Sequence, residues 1–104
     1  MGIRGQHKNK RDANEHEIVE VLRAHGFSVE RLDTPVDLLL GKFGQTWIAE
    51  IKIEGKALNA NQVKFYGGWG GNTTVFRSVQ DVADFAREIN LAQAKRIPHR
   101  GTIS

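Results

Sequence analysis

Glu50 and Lys52 are the residues whose types and spacing first suggest chemistry. In the apolar segment 46–53 they stand two positions apart, so in a strand their side chains project from the same face. The opposite face is entirely apolar and is formed by Trp47, Ala49, Ile51 and Ile53. A carboxylate and an ammonium in a central strand are unfavourable unless they meet a metal ion, each other or a substrate. The alternative is an edge strand whose wet face carries a cross-strand ion pair.

Asp37 adds a second carboxylate that the chain can bring close to Glu50. It follows the breaker Thr34-Pro35 and directly precedes three leucines, and residues 41–45 form a hairpin loop into the strand of Glu50. Two carboxylates at one end of a sheet require a cation, and an oxygen-rich site of this kind suits Mg²⁺. Taken alone, Asp37 has a second explanation as a turn residue after Pro35, which is the commoner role of such an Asp.

The elements that must position these residues follow the order αβββαβα. Helical spacing marks residues 12–25, with Asn14 predicted as the N-cap and Glu17 completing a capping box. Asn59 or Asn61 is expected to cap a second helix that ends at Gly67. Three short strands precede the second helix, one follows it, and an amphipathic helix begins at Ser78. These features predict one α/β domain over residues 12–90, between a basic arm at 1–11 and a basic tail at 91–104.

This order, with Pro35, Asp37 and then Glu50-Ile51-Lys52, resembles the PD-(D/E)XK nuclease superfamily. Val36 stands between Pro35 and Asp37, where the superfamily usually has Pro directly before Asp. The segments 11–17 and 75–78, together with a Gln at the start of the second helix, are similar to the virus-type replication-repair nuclease group, which is related to Holliday junction resolvases. The resemblance implies a restriction-endonuclease-like αβββαβ core, with a central mixed sheet flanked by helices and an additional C-terminal helix.

The resemblance also implies a metal-dependent endodeoxyribonuclease that acts on branched DNA such as four-way junctions. Asp37, Glu50 and the carbonyl of Ile51 would hold Mg²⁺ or Mn²⁺, with help from Glu17 on the first helix. No organic cofactor is implied. The catalytic residues would be Asp37, Glu50, Lys52 and Gln62. A homodimer would place two sites on two DNA strands. The alternatives are a noncatalytic DNA-binding domain that retains the fold and a small α/β interaction domain whose acids are coincidental.

Charge is distributed unevenly along the 104 residues, whose net charge is +3. The two ends contain seven Lys and Arg and no acid, whereas the middle of the chain contains eight basic and twelve acidic side chains. This pattern favours a polyanionic partner such as DNA, although basic ends that merely keep the chain soluble explain it as well. The expected phosphate contacts are Lys8, Lys10, Arg11, Lys56 and Lys64.

Several classes of protein are excluded by what the sequence lacks. Without cysteine there is no disulfide scaffold, thiolate zinc site or cysteine nucleophile. No apolar run approaches the length of a bilayer span, and no secretory signal is recognisable, so we expect a protein of the cytoplasm, in a bacterium or a phage-infected cell, that has no membrane partner. Trp69 is expected to pack over the end of the second helix rather than to stack on a base.

Overall fold

The computed structural model describes the backbone of residues 2–96 and the side chains of residues 13–96. It is an α/β fold of three helices and four strands, and its element order is the one predicted from the sequence. The elements are α1 (Gly2–Ala24), β1 (Ser28–Arg31), β2 (Leu38–Lys42), β3 (Gln45–Ile51), α2 (Ala60–Gly68), β4 (Asn72–Phe76) and α3 (Val79–Arg96). None of the helices within residues 2–96 combines the length and the apolar character that a bilayer span requires.

The four strands form one mixed sheet in the order β1-β2-β3-β4. β1 and β2 are antiparallel, β2 and β3 are antiparallel, and β4 is parallel to β3. The hairpin between β2 and β3 has only Phe43 and Gly44 at its tip, both with positive φ, as a tight type I′ turn requires. β3 therefore lies between two neighbours, so the strand of Glu50 is a central strand and the alternative of an edge strand is wrong.

One face of the sheet carries the core and is covered by α1 and α3. Trp47 and Phe85 contact each other edge to face, with ring centroids 5.4 Å apart, and Phe27 packs against both. The buried side chains of this core come from α1 (Ile18, Val19, Leu22), α3 (Val82, Ala86) and the sheet (Val29, Leu38, Leu40, Trp47, Ala49, Ile51, Phe76). Each large apolar side chain contributes roughly 1.5–3 kcal/mol when buried, so this cluster fixes the strand that carries Glu50.

Helix α2 contacts the sheet from the side on which Glu50 projects, since two of its side chains bond to that residue. Asn59 is its N-cap, as one of the two predicted alternatives, and Gln62 completes a capping box with it. The Asn59 side chain accepts a hydrogen bond from the Gln62 backbone N–H at 2.9 Å, and the Gln62 side chain accepts one from the Asn59 N–H at 3.0 Å. The reciprocal bonds fix both the start of the helix and the direction of the Gln62 side chain.

Two predicted boundaries were wrong. Helix α1 begins at Gly2, so Asn14 is an interior helical residue and not an N-cap. No proline interrupts residues 2–13, and the backbone continues helical through them. Strand β3 ends at Ile51 and not at Ile53, because a turn follows in which the Lys56 N–H donates to the Ile53 carbonyl at 2.9 Å. Ile53 is consequently exposed instead of extending the apolar face.

Candidate active site

Asp37 and Glu50 face each other at the adjoining ends of β2 and β3. Leu38 pairs with Ala49, so the antiparallel register places Asp37 opposite Glu50. The Ile51 backbone N–H donates to Asp37 Oδ2 at 2.8 Å, and the Asp37 N–H donates to the Ala49 carbonyl at 3.2 Å. Both residues are buried, with 3% and 4% exposure, and their carboxyl groups are close enough for Asp37 to act on Glu50 by charge and, when one of the two is protonated, by a hydrogen bond. We refer to Asp37 and Glu50 together as the acid pair.

Glu50 also receives two hydrogen bonds from α2. Gln62 Nε2 donates to Oε2 at 2.8 Å, and the Tyr66 hydroxyl donates to Oε1 at 3.0 Å. Gln62 and Tyr66 are four residues apart, so they stand one above the other on the same face of the helix. Both oxygens of Glu50 are thereby held in fixed positions by a capped helix.

Burial and mutual repulsion both disfavour ionisation of the two carboxyl groups of the acid pair. Burial raises the pKa of Glu50, the negative charge of Asp37 raises it further, and the Tyr66 hydrogen bond and the charge of Lys52 act in the opposite direction. Burial and the neighbouring charge of Glu50 also raise the pKa of Tyr66, which keeps its hydroxyl proton available as a donor. A proton or a cation is needed between two buried carboxyl groups in contact.

Glu50 opens into a pocket of about 250 Å³, which we call the acid pocket. Lys52 and Lys56 supply positive charge to its wall, and Asn14 approaches from α1. Its remaining lining residues are Glu50, Ile51, Ile53, Ala57 and Gln62. Asp37 does not line the pocket itself, but it interacts with Glu50, which does. The Lys52 side chain makes no hydrogen bond or ion pair with the side chains of residues 13–96, and it acts on Glu50 through charge alone.

No family model, curated protein or solved structure matches this chain. The structure brings together Asp37, Glu50, Ile51, Lys52 and Gln62, five of the residues that the sequence indicated, in and around one pocket.

The structure does not bring Glu17 to this site. Glu17 is exposed on α1, whereas Glu15 is nearly buried and accepts a hydrogen bond from Arg31 Nε at 2.9 Å. Glu15 lies three, four and seven residues before Ile18, Val19 and Leu22, so it shares the face that packs on the sheet, and Glu17 does not. Among the side chains of residues 13–96, no group of three or more His, Cys, Asp or Glu could hold a metal ion.

The predicted phosphate-contacting residues divide into three cases. Lys56 lines the acid pocket, and Lys64 is exposed on α2 without lining it. The side chains of Lys8, Lys10 and Arg11 lie outside the described residues.

Two residues of the site, Tyr66 and Asn14, were missed by sequence reasoning. Tyr66 has a signal in the sequence, because it stands four residues after Gln62 in the predicted helix and must share its face. Asn14 was assigned to a cap, whereas the structure places it inside α1 and at the wall of the acid pocket.

Proposed function

We propose that this protein is a metal-dependent endodeoxyribonuclease with a restriction-endonuclease-like core, which hydrolyses DNA phosphodiester bonds. The observation that carries the proposal is the buried acid pair, in which Asp37 acts on Glu50 and Glu50 lines the acid pocket beside Lys52. Burying two acids beside a lysine at the end of a central strand destabilises the fold. A bound cation and a phosphate would compensate these charges, which is why such a group favours a functional site.

The donor set fits a hard divalent cation. Asp37 and Glu50 supply carboxylate oxygens, and the backbone of Ile51 reaches the pocket although its side chain lies in the core. Mg²⁺ is commonly held by one or two carboxylates, with water and substrate phosphate completing its shell, so a third acid is not required. When bound, Mg²⁺ or Mn²⁺ would activate a water molecule and neutralise charge on the phosphate.

The other residues have roles that follow from their positions. Gln62 and Tyr66 orient the Glu50 carboxylate through their hydrogen bonds. Lys52 lines the same pocket, where its charged ammonium stabilises the extra negative charge of the reacting phosphate or, as the neutral amine, its nitrogen accepts a proton from the attacking water. Lys56 offers a further positive charge for a DNA phosphate. In a cell we expect the protein to act as a homodimer in the cytoplasm, with one site for each strand of branched DNA.

Incubation of the purified protein with labelled DNA tests this function. Duplex, single-stranded, flap and four-way-junction substrates are each combined with Mg²⁺, Mn²⁺ or a chelator. We expect metal-dependent cutting, strongest on branched DNA, and none with the chelator. If the protein binds DNA but cuts no substrate with either metal, the noncatalytic DNA-binding domain is the correct interpretation.

Substitutions in α1 test which of its residues serves the site. Asn14 lines the acid pocket, and the Asn14→Ala change is expected to lower kcat/KM for DNA cleavage about 3- to 10-fold, the effect of one hydrogen bond. Glu17→Ala, on the exposed face of the same helix, is the matched control and should leave kcat/KM unchanged. A larger loss for Glu17→Ala than for Asn14→Ala would contradict this placement of α1.

A further inference from the structure

A second pocket shares Gln62 with the acid pocket. It has a volume of about 260 Å³ and is lined by Pro35, Asn61, Gln62, Phe65 and Tyr66. We call it the aromatic pocket. Gln62 lines both pockets, and no lining residue of the aromatic pocket carries a formal charge. A ligand that fills both would therefore be charged at one end and flat or apolar at the other.

The walls of the aromatic pocket are held in place by the same contacts that hold the acid pair. The Tyr66 hydroxyl bonds to Glu50, and Pro35 stands two residues before Asp37. Phe65 meets the Tyr66 ring edge to face, with centroids 5.6 Å apart, and stacks on Trp69 at 5.7 Å. Trp69, the residue after α2, thus packs over the end of this helix through its contact with Phe65, which is half-buried. These rings need little rearrangement to accept a planar ligand.

We propose that the aromatic pocket binds the unpaired nucleobase that adjoins the phosphate in the acid pocket, an inference that rests on the proposed nuclease function. Phe65 and Tyr66 supply the aromatic surface that every base can stack on, and the amides of Asn61 and Gln62 can bond to a base edge. A nucleotide carries a charged phosphate and a flat, uncharged base next to each other, as the two pockets require. The aromatic pocket offers no positive charge to a phosphate, so a phosphate is not its expected ligand.

The substrate class follows from this geometry. A base inside a duplex is stacked on both faces and paired at its edge, so it must leave the helix before it can enter the pocket. That cost is smallest for a base that is already unpaired. We therefore expect DNA with an unpaired nucleotide at the cleavage position, as in a single strand, a flap or an open branch point, to be preferred over continuous duplex.

An abasic scan tests the proposal. A single abasic site is moved along a labelled single strand, and each strand is measured both for affinity in chelator, by fluorescence anisotropy, and for kcat/KM with Mg²⁺. For the wild-type protein we expect one position, next to the cleaved bond, at which loss of the base weakens both values about 5- to 50-fold. Phe65→Leu should weaken binding of the intact strand similarly and should no longer respond to the abasic site there.

Two further variants keep the result interpretable. Val63→Ala changes an exposed apolar residue of α2 outside both pockets, and it should retain the wild-type scan. Asn61→Ala, at an exposed position, should reduce any preference among the four bases at the sensitive position without lowering the melting temperature, and it decides the question if Phe65→Leu fails to fold.

The outcomes separate this proposal from the nuclease function. Cleavage with no sensitive position, or a sensitive position that persists in Phe65→Leu, overturns the base pocket and leaves the nuclease intact. If an abasic site at one position weakens binding but no DNA is cleaved, the base pocket is supported and the nuclease function is contradicted. Self-association of the wild-type protein that Phe65→Leu abolishes would assign the pocket to a second copy of the chain and overturn the proposal.

Discussion

Glu50→Gln is expected to abolish metal-dependent DNA cleavage and, in the same protein, to stabilise the metal-free fold. Glutamine keeps the shape of the side chain and can still accept from Gln62 or Tyr66. Its amide can donate to the carboxylate of Asp37, with which Glu50 shares a hydrogen bond. The substitution removes one negative charge from a buried pair. The metal would then lose a carboxylate ligand, and the metal-free protein would lose the repulsion between Glu50 and Asp37.

The gain in stability should depend on pH in a defined direction. Burial and the charge of Asp37 raise the pKa of Glu50, so the folded protein binds this proton more tightly than the unfolded chain does. The contribution of Glu50 to the free energy of unfolding therefore falls as the pH rises from the ordinary Glu pKa through the raised one. The advantage of Glu50→Gln should be absent in acid, grow over that interval and stay constant above it.

Thermal melting in chelator and in Mg²⁺ measures both effects. In chelator at neutral pH, each ~1 kcal/mol gained by Glu50→Gln corresponds to about 4–8 °C in Tm for a domain of this size. Mg²⁺ should raise the Tm of the wild-type protein, because a ligand of the folded state stabilises it, and should leave that of Glu50→Gln unchanged.

Glu54→Gln is the matched control, since Glu54 is an exposed acid four residues further along the chain. It should behave as the wild-type protein does in cleavage and in both melts. Cleavage by Glu50→Gln above the level of the chelated wild-type protein, or equal stabilisation of both proteins by Mg²⁺, would show that Glu50 is not a metal ligand.

The acid pair could be predicted from the sequence because short-range rules determine it. The alternation along β3 assigns Trp47, Ala49 and Ile51 to one face and Glu50 to the other. A short hairpin leaves little choice of register, and a register that buries Leu38 and Leu40 places Asp37 opposite Glu50. Local periodicity and turn length thus suffice to predict the positions of two residues of the proposed site.

The contribution of α1 was harder to predict because it depends on the phase and length of a helix. Ile18, Val21 and Leu22 are compatible with more than one inward direction, and the structure selects the direction that buries Glu15 and Val19. No sequence signal near Asn14 shows that the helix starts at Gly2. The bonds from α2 to Glu50 depend on where that helix docks, a long-range contact that neither capping nor periodicity specifies.

Lys52→Met is expected to lower the rate of cleavage about 10²- to 10⁴-fold while metal binding is retained. The Lys52 backbone N–H donates to the Phe76 carbonyl at 3.0 Å, so the main chain is held by β4 whatever the side chain. The side chain is only half-buried and makes no hydrogen bond within the described part of the molecule. Its removal should therefore reduce kcat strongly and lower Tm only slightly, through the loss of its charge beside Glu50, and Mg²⁺ should still stabilise the variant.

Lys56→Met separates this effect from a general loss of positive charge. Lys56 lines the same pocket but is exposed, so we expect its ammonium to hold a phosphate rather than to act on Glu50. We expect its loss to raise KM, to reduce the dependence of affinity on salt and to leave kcat unchanged. Lys52→Arg then distinguishes the two roles of Lys52, because arginine keeps the charge but does not release a proton at neutral pH. If kcat recovers in Lys52→Arg, Lys52 acts by stabilising charge, and if it does not recover, Lys52 acts by proton transfer. Equal kcat values for Lys52→Met and Lys56→Met would show that Lys52 has no specific role in the reaction.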